Sequence, residues 1–541
     1  MRGRAGAAAG IAAVLALAIG MAWWGKRPAE RPRPAPRIAQ PSAPGGEPPV
    51  EPPDEPPVKP PDPPPVEPPA ARGWRFGDDV TPFLERGPFS LRATCGECHA
   101  TPGPGVDIKG EWPRIVMEMK RLLVVSGKQP DEAALQEIQD YYVKHAPARF
   151  ERLPSTAGSG ALEFRREAFG NPMRKDSKVA NVNVADLDGD GKPEVVVCDG
   201  VANAVSIVRH RPTGWMEEVI ASCEVPVHSA VFDADRDGDL DIAVAGLGNL
   251  FPTDNLVGSV LLLVNAGPKG WERRELLKDQ PRVADVEPAD VDGDGDVDLV
   301  VAAFGWRKSG SIGWLRNDGA KWELMKIADR PGAIHVPVAD LDADGRPDFV
   351  ALVAQEAETV TAYMNKGGTF EAKTLFDARN PQYGSSGLQL ADLDRDGDLD
   401  ILFSNGDALD NLSGTPKPYH GVQWLENRGK LEFEWHDIGR CYGPYRAAAA
   451  DLDGDGDSDV AVAVLFGMWT DSGQSGLLWY ENDGKMSFTR HDVPSPSHLV
   501  TLAAGDLDGD GALEIVTGRM TFENAPVHGE ELLKWSISRK K

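Results

Sequence analysis

The chain has 541 residues, with 84 acidic against 57 basic side chains and a formal net charge of −27. It is too long for one ordinary domain, and too acidic to hold nucleic acid through its phosphates. Its five cysteines are few enough that an ordered pair among them carries information.

Residues 1–26 come first. From Ala5 to Gly25 no residue is charged, Arg2 and Arg4 precede the run, and Trp23 and Trp24 close it. Such a segment is long enough to span a bilayer with its tryptophans at the interface. A cleaved signal peptide is the other reading, with Ala16 and Ala18 near a cut. Both place the protein outside the cytosol, in a bacterial periplasm or at the cell surface, and the first also anchors it in the membrane. Residues 27–73 form a linker with 19 prolines. Such a composition builds no core and favours polyproline II, so it reads as a stiff tether reaching on the order of 140 Å when extended. That tether would let a domain carried beyond it sample partners.

Residues 74–154 form a small helical domain. Cys95-Gly96-Glu97-Cys98-His99 is C-x-x-C-H. Two thiols at this spacing can make thioethers to haem c, and the adjacent imidazole then lies under the iron. Without the histidine the pair would equally suit a redox or zinc site. Residues 111–123 read as a helix with Trp112, Ile115, Val116, Met119 and Leu122 on one face and Met117 opposite. Met119 is therefore the expected sixth ligand. The alternatives are a five-coordinate iron or ligation by His145. A last helix, from about Asp131 to Lys144, follows Pro130 and stops before Pro147, with Ala134, Ile138 and Tyr142 on one face.

From residue 158 to 541 one phrase recurs seven times, D-x-D-x-D-G-x-x-[DE], spaced 47, 57, 50, 52, 59 and 55 residues apart. Its first, third and fifth positions are Asp186, Asp188 and Asp190; Asp233, Asp235 and Asp237; Asp290, Asp292 and Asp294; Asp340, Asp342 and Asp344; Asp392, Asp394 and Asp396; Asp451, Asp453 and Asp455; Asp506, Asp508 and Asp510. The ninth is Glu194, Asp241, Asp298, Asp348, Asp400, Asp459 or Glu514. The seventh varies: Lys192, Asp239, Asp296, Arg346, Asp398, Asp457 and Ala512. Calcium takes six to eight oxygens, side-chain carboxylates plus a backbone carbonyl, and a position that supplies only its carbonyl tolerates any side chain. The loops are thus expected to hold up to seven calcium ions, which would offset roughly half of the net negative charge. They are not EF-hands, because position twelve is Val197 or Val244 and falls in a strand-like run. Asp and Gly are common turn formers, yet a turn alone does not call for carboxylates at four fixed offsets.

A period near fifty with several strands per unit indicates propeller blades. Outer strands are expected near 215–220, 271–277, 322–327, 369–375, 432–438 and 486–492. The seventh is missing at the far end of the chain and is supplied by residues 161–169, which would close a seven-bladed ring and hide its edges. The fold class read from the sequence is therefore multi-domain: a small all-α domain and an all-β seven-bladed propeller.

The helical part resembles a compact class I cytochrome c, although His99 and Met119 are only 20 residues apart, fewer than in most such proteins. The acidic phrases resemble the FG-GAP or VCBS repeats also found in integrin α-subunit propellers. That resemblance implies the fold and the calcium loops and leaves function open.

Five residues before each phrase stand Asn181, His228, Asp285, His335, Gly387, Arg446 and Thr501. Strand alternation sends these, with Asn183, Glu287 and Gln389 two residues on, into the axial channel at the end away from the acidic loops. Such a polar ring is a candidate substrate or second metal site; a solvated lining without a ligand is the plainer alternative. Trp306, Arg307, Glu356 and Trp469 follow the second strands, either rimming a pocket or packing between blades. Cys198, Cys223 and Cys441 remain, and a Cys198–Cys223 disulfide would leave one odd thiol. Three functions fit these features. The first is an exported haem electron-transfer protein whose propeller binds a redox partner protein, small molecule or polysaccharide. The second is a propeller dehydrogenase passing electrons to the haem, although no motif for a further cofactor is present. The third is a cell-surface binding module.

Overall fold

This computed structural model describes residues 87–95, 101–125, 127–153, 160–171, 178–212, 214–319, 321–380, 382–409, 416–469, 474–520 and 530–540. The apolar run at 5–25, the proline-rich linker, Cys98 and His99 lie outside them, and of Cys95 only the backbone is described. Among the described residues no helix is long and apolar enough to cross a membrane.

Among the described residues three α-helices precede the sheets: α1 (Phe89–Cys95), α2 (Trp112–Val125) and α3 (Glu132–His145). Asp131 caps α3 by accepting from the amides of Ala133 at 3.0 Å and Ala134 at 3.1 Å. Lys144 and His145 suit the negative end of its dipole. The amphipathic spacing then sends Leu135, Ile138 and Tyr142 against Leu91 of α1 and Trp112 and Val116 of α2. Trp112 stacks on Tyr142 with ring centres 3.6 Å apart. Helix α1 was invisible in the sequence because seven residues are too few to show a period.

Seven antiparallel sheets follow, spanning 179–222, 226–280, 283–329, 333–377, 385–440, 444–493 and 499–539 as blades 1 to 7. Each second strand (Glu194–Asp199 is the first) is buried along its whole length, with an apolar run through its middle, as a strand covered on both faces must be. Alternate side chains point to opposite neighbours, so the core is not one mass but seven apolar wedges, one between each pair of adjacent blades. In blade 4 the inner strand is split into Ala333–His335 and Val338–Ala339, because Pro337 has no amide for the ladder. Ring closure matches the sequence expectation. Leu162–Ala168 pairs antiparallel with Leu532–Arg539, from Leu162↔Arg539 to Ala168↔Leu533, as the outer strand of blade 7.

The disulfide that the sequence left open, Cys198 with Cys223, is not formed. Cys198, Cys223 and Cys441 are free and buried. Cys198 and Cys223 share the wedge between blades 1 and 2 as ordinary apolar packing. Burial pushes the Cys223 and Cys441 thiols up to about 11, so they stay protonated and unreactive.

Candidate functional site

The seven acidic loops join the first and second strands of each blade, and they fold alike. The first Asp accepts from the amide of the loop's sixth residue in every blade, for example Gly191 to Asp186 at 2.9 Å and Gly345 to Asp340 at 2.8 Å. The fifth accepts from the seventh amide, as Lys192 to Asp190 at 2.8 Å. The sixth residue is always Gly with φ between 83° and 100°, a conformation that other side chains resist. The fourth is also left-handed but is Arg236, Ala343 and Arg395 in three blades, a demand the repeat pattern did not reveal.

The ninth residue holds the loop shut from beneath. One oxygen accepts the amide of the loop's second residue in all seven blades. In five blades the other oxygen takes the amide of an Asn in the hairpin between strands three and four, as Asn265 to Asp241 at 2.7 Å. Burial, with like charge nearby, pushes Asp298 up to about 6 and Asp400 and Asp459 up to about 7. In three loops a buried carboxylate oxygen has no hydrogen-bond partner: Oδ1 of Asp233, Asp392 and Asp457. Converging carboxylates, orphaned oxygens, and burial with like-charge repulsion that raises these carboxyl pKa values all fit a cation. Blade 4 differs. Arg346 contacts Asp344, and Lys366 approaches Asp342 at 3.6 Å and Asp344 at 3.9 Å.

The opposite end is built on another device. In every blade the inner strand shifts register one residue before the fifth-back position, as between Val283 and Asp285. A bulge re-aims the side chain that follows it, and four of the seven ring residues meet. His228 Nε2 lies 2.9 Å from Asp285 Oδ1 and 3.2 Å from Glu287 Oε1. His335 Nδ1 is 3.4 Å from Asp285 Oδ2, and Arg446 Nη1 is 3.4 Å from His335 Nε2. Asp285, only 1% exposed, also accepts the amides of Val286 at 3.0 Å and Val336 at 2.8 Å.

Arg446 reaches past blade 5 because that blade contributes Gly387. A Cβ there would stand 2.7 Å from the Tyr445 carbonyl oxygen and 3.2 Å from the Arg446 Cα. Asn181 takes no part in the charged group; its Oδ1 accepts from Ser229 Oγ at 2.9 Å. Thr501 is buried in its strand, and Gln389 accepts the Ala449 amide at 2.8 Å.

Burial would lower the His228 imidazolium, but Asp285 and Glu287 outweigh it and raise the group to about 10. Burial, followed by the neighbouring Asp285 charge, raises Glu287 even though His228 pulls it down. Burial, with Arg446 adding to it, holds His335 below its ordinary value. Of the residues beyond the second strands, Arg307 lies over the Trp306 ring at 5.2 Å, and their loop hangs on Asp254. Trp469 packs by His498 at 5.2 Å.

The helical unit docks at this same end, where the connections between strands two and three and between blades lie. Lys417 Nζ meets Asp107 Oδ2 at 2.8 Å, both buried. Tyr442 donates to the Glu151 carbonyl at 2.8 Å, Arg440 pairs with Glu151, and Val106 packs into the wedge of blades 4 and 5. Sequence reasoning missed this pairing of residues 310 positions apart, which no periodicity marks. These contacts hold the helical unit against the propeller; the stretch 27–73 lies outside the described residues.

Comparison with known proteins bears on the repeats. A family model described as FG-GAP-like repeat matches residues 186–244, 290–351, 340–403 and 464–517. A search of curated proteins found no match. Similar solved structures include crystal structures of BBS1N in complex with ARL6DN. The one soaked with mercury is 14% identical with a TM-score of 0.42, covering 68% of this chain and 95% of that one. The one soaked with lead is 13% identical with a TM-score of 0.42, covering 70% and 97%. The chain is a seven-bladed β-propeller carrying FG-GAP repeats.

Proposed function

We propose that this chain is an exported c-type haem electron-transfer protein whose calcium-braced propeller binds a redox partner or substrate. The observation that carries the reading is local. The C-x-x-C-H pentapeptide starts at the last residue of α1, and the chain just beyond it, Gly103 to Asp107, is largely buried where the helical unit meets the propeller. Cys95 and Cys98 would hold the haem covalently, His99 would ligate its iron, and Met119, half-buried while Met117 is exposed, is the proposed sixth ligand. When bound, haem c supplies reversible one-electron transfer. The residues of this chain position it: α3 braces α1, and the Asp107–Lys417 pair holds the outgoing segment. The loop carboxylates would hold calcium as a structural ion.

Purified protein should show a c-type haem spectrum that Cys98→Ala abolishes, and bound calcium approaching seven equivalents. Material with neither haem nor calcium overturns the proposal. A second reading, a propeller that oxidises a small organic substrate and passes electrons to the haem, is favoured by the axial His–carboxylate group at the end where the helical unit docks. Haem reduction by a sugar, alcohol or aldehyde would select it; reduction only by a small donor protein would select the first.

A further inference from the structure

The axial group does more than line a channel. Its central atom is His228 Nε2, which can carry one hydrogen yet faces two carboxylate oxygens, at 2.9 Å and 3.2 Å. A single N–H aimed between two acceptors serves neither well. A metal ion serves both. Donors about 2.1 Å from a first-row metal and at right angles to one another lie about 3.0 Å apart, which is the separation seen here. The three donors stand within 4.8 Å of one another.

We propose that His228, Asp285 and Glu287 bind a divalent transition-metal ion of the manganese-to-zinc series at the propeller axis. One imidazole nitrogen and two carboxylate oxygens suit that class, whereas the all-oxygen loops at the other end suit calcium. The surroundings are those of a held ligand. Asp285 is fixed by the amides of Val286 and Val336 and by His335 Nδ1 on its outer oxygen, the outer-shell support that ligating carboxylates have. His335 Nδ1 faces Asp285, and its Nε2 lies 3.4 Å from Arg446 Nη1 and 3.3 Å from the Ser386 carbonyl oxygen. The Arg446 guanidinium is held beside the donors as a counter-charge, where it would favour an anionic group on the metal's open positions, a carboxylate being the simplest. Four of these side chains, His228, Asp285, His335 and Arg446, follow a register shift in their strands, so the backbone is shaped for the convergence.

The test uses the full chain, dialysed with excess calcium so that the acidic loops are filled, then titrated with zinc alone by equilibrium dialysis and with cobalt alone by visible absorption. One tight equivalent is expected, with a cobalt spectrum showing nitrogen ligation. His228→Ala should abolish it, Glu287→Gln should weaken it at least tenfold, and Asp457→Asn should leave it intact. Glu287 is partly exposed at the channel, so its isosteric amide keeps the fold; if His228→Ala melts early, Glu287→Gln alone decides. No stoichiometric metal above the loop sites, or binding unchanged in Glu287→Gln, overturns the proposal. Zinc dialysis does not involve haem, and the cobalt spectrum is taken as a difference against the same chain without cobalt, so this site stands or falls apart from electron transfer.

Discussion

The two ends of the propeller obey opposite rules. At one end seven loops repeat the same carboxylates, the same glycine and the same amide contacts. At the other, seven equivalent positions carry Asn181, His228, Asp285, His335, Gly387, Arg446 and Thr501, and no two adjacent blades agree. Repetition serves the structure, because each blade must solve the same electrostatic problem. Divergence serves recognition, because a ring of identical side chains could offer a ligand only symmetric contacts. The helical unit sits at the divergent end, where individuality is available.

Chelation should break the repeated end most severely. A site at a hundredfold excess of calcium over its dissociation constant contributes about 2.7 kcal/mol. Seven such sites exceed the usual stability of a domain, about 5–15 kcal/mol, so chelator should lower the melting temperature by more than about 10 °C. An unchanged melting curve would remove calcium from the account.

At the divergent end, Lys417→Met strands the buried Asp107 carboxylate, a cost of about 3–5 kcal/mol. The loss should appear as faster hydrogen exchange at 103–107 with blades 1 to 3 unaffected. Adding Asp107→Asn should recover most of it.

A smaller effect belongs to His498, near the start of blade 7. Burial, with Arg519 and Lys178 adding repulsion, holds its imidazole down at about 4, whereas the unfolded chain titrates near 6.5. Because the unfolded state then takes up the proton first, stability is full above about 6.5 and falls as the pH drops toward 4. The loss should be on the order of 2 kcal/mol after discounting for solvent. Denaturation across that range with calcium present should show the slope, and His498→Gln should flatten it.

The finest test compares loops. Arg346 and Lys366 already crowd the blade 4 carboxylates, so Asp342→Asn should shift melting less than Asp292→Asn, by under about 1 kcal/mol. Equal shifts would mean that all seven loops bind alike.

Much of this was legible because it was periodic. Identical offsets exposed the acidic loops, and counting outer strands exposed the closing strand at 162–168. Strand alternation also found the ring positions, since His228 and Asp285 needed only their distance from the next phrase. What repeats cannot encode stayed hidden. Asn181 and Asp285 occupy the same position, yet one bonds its neighbour's serine and the other gathers two histidines. The Lys417–Asp107 pair joins a helical unit to a propeller, and whether Cys198 and Cys223 bond was open in the sequence, where only packing decides that they do not.

The strand at 162–168 is made early and pairs with one made some 370 residues later. Until then blade 7 lacks its outer edge, and the apolar wedges on either side of it, one toward blade 6 and one toward blade 1, cannot both fill. Assembly therefore has a slow, long-range final step, like fastening a belt whose buckle and tongue lie at its two ends. Conditions that delay the fastening leave an open sheet edge facing neighbouring molecules. The yield of soluble protein should track how fast that seam closes, more than how stable any single blade is.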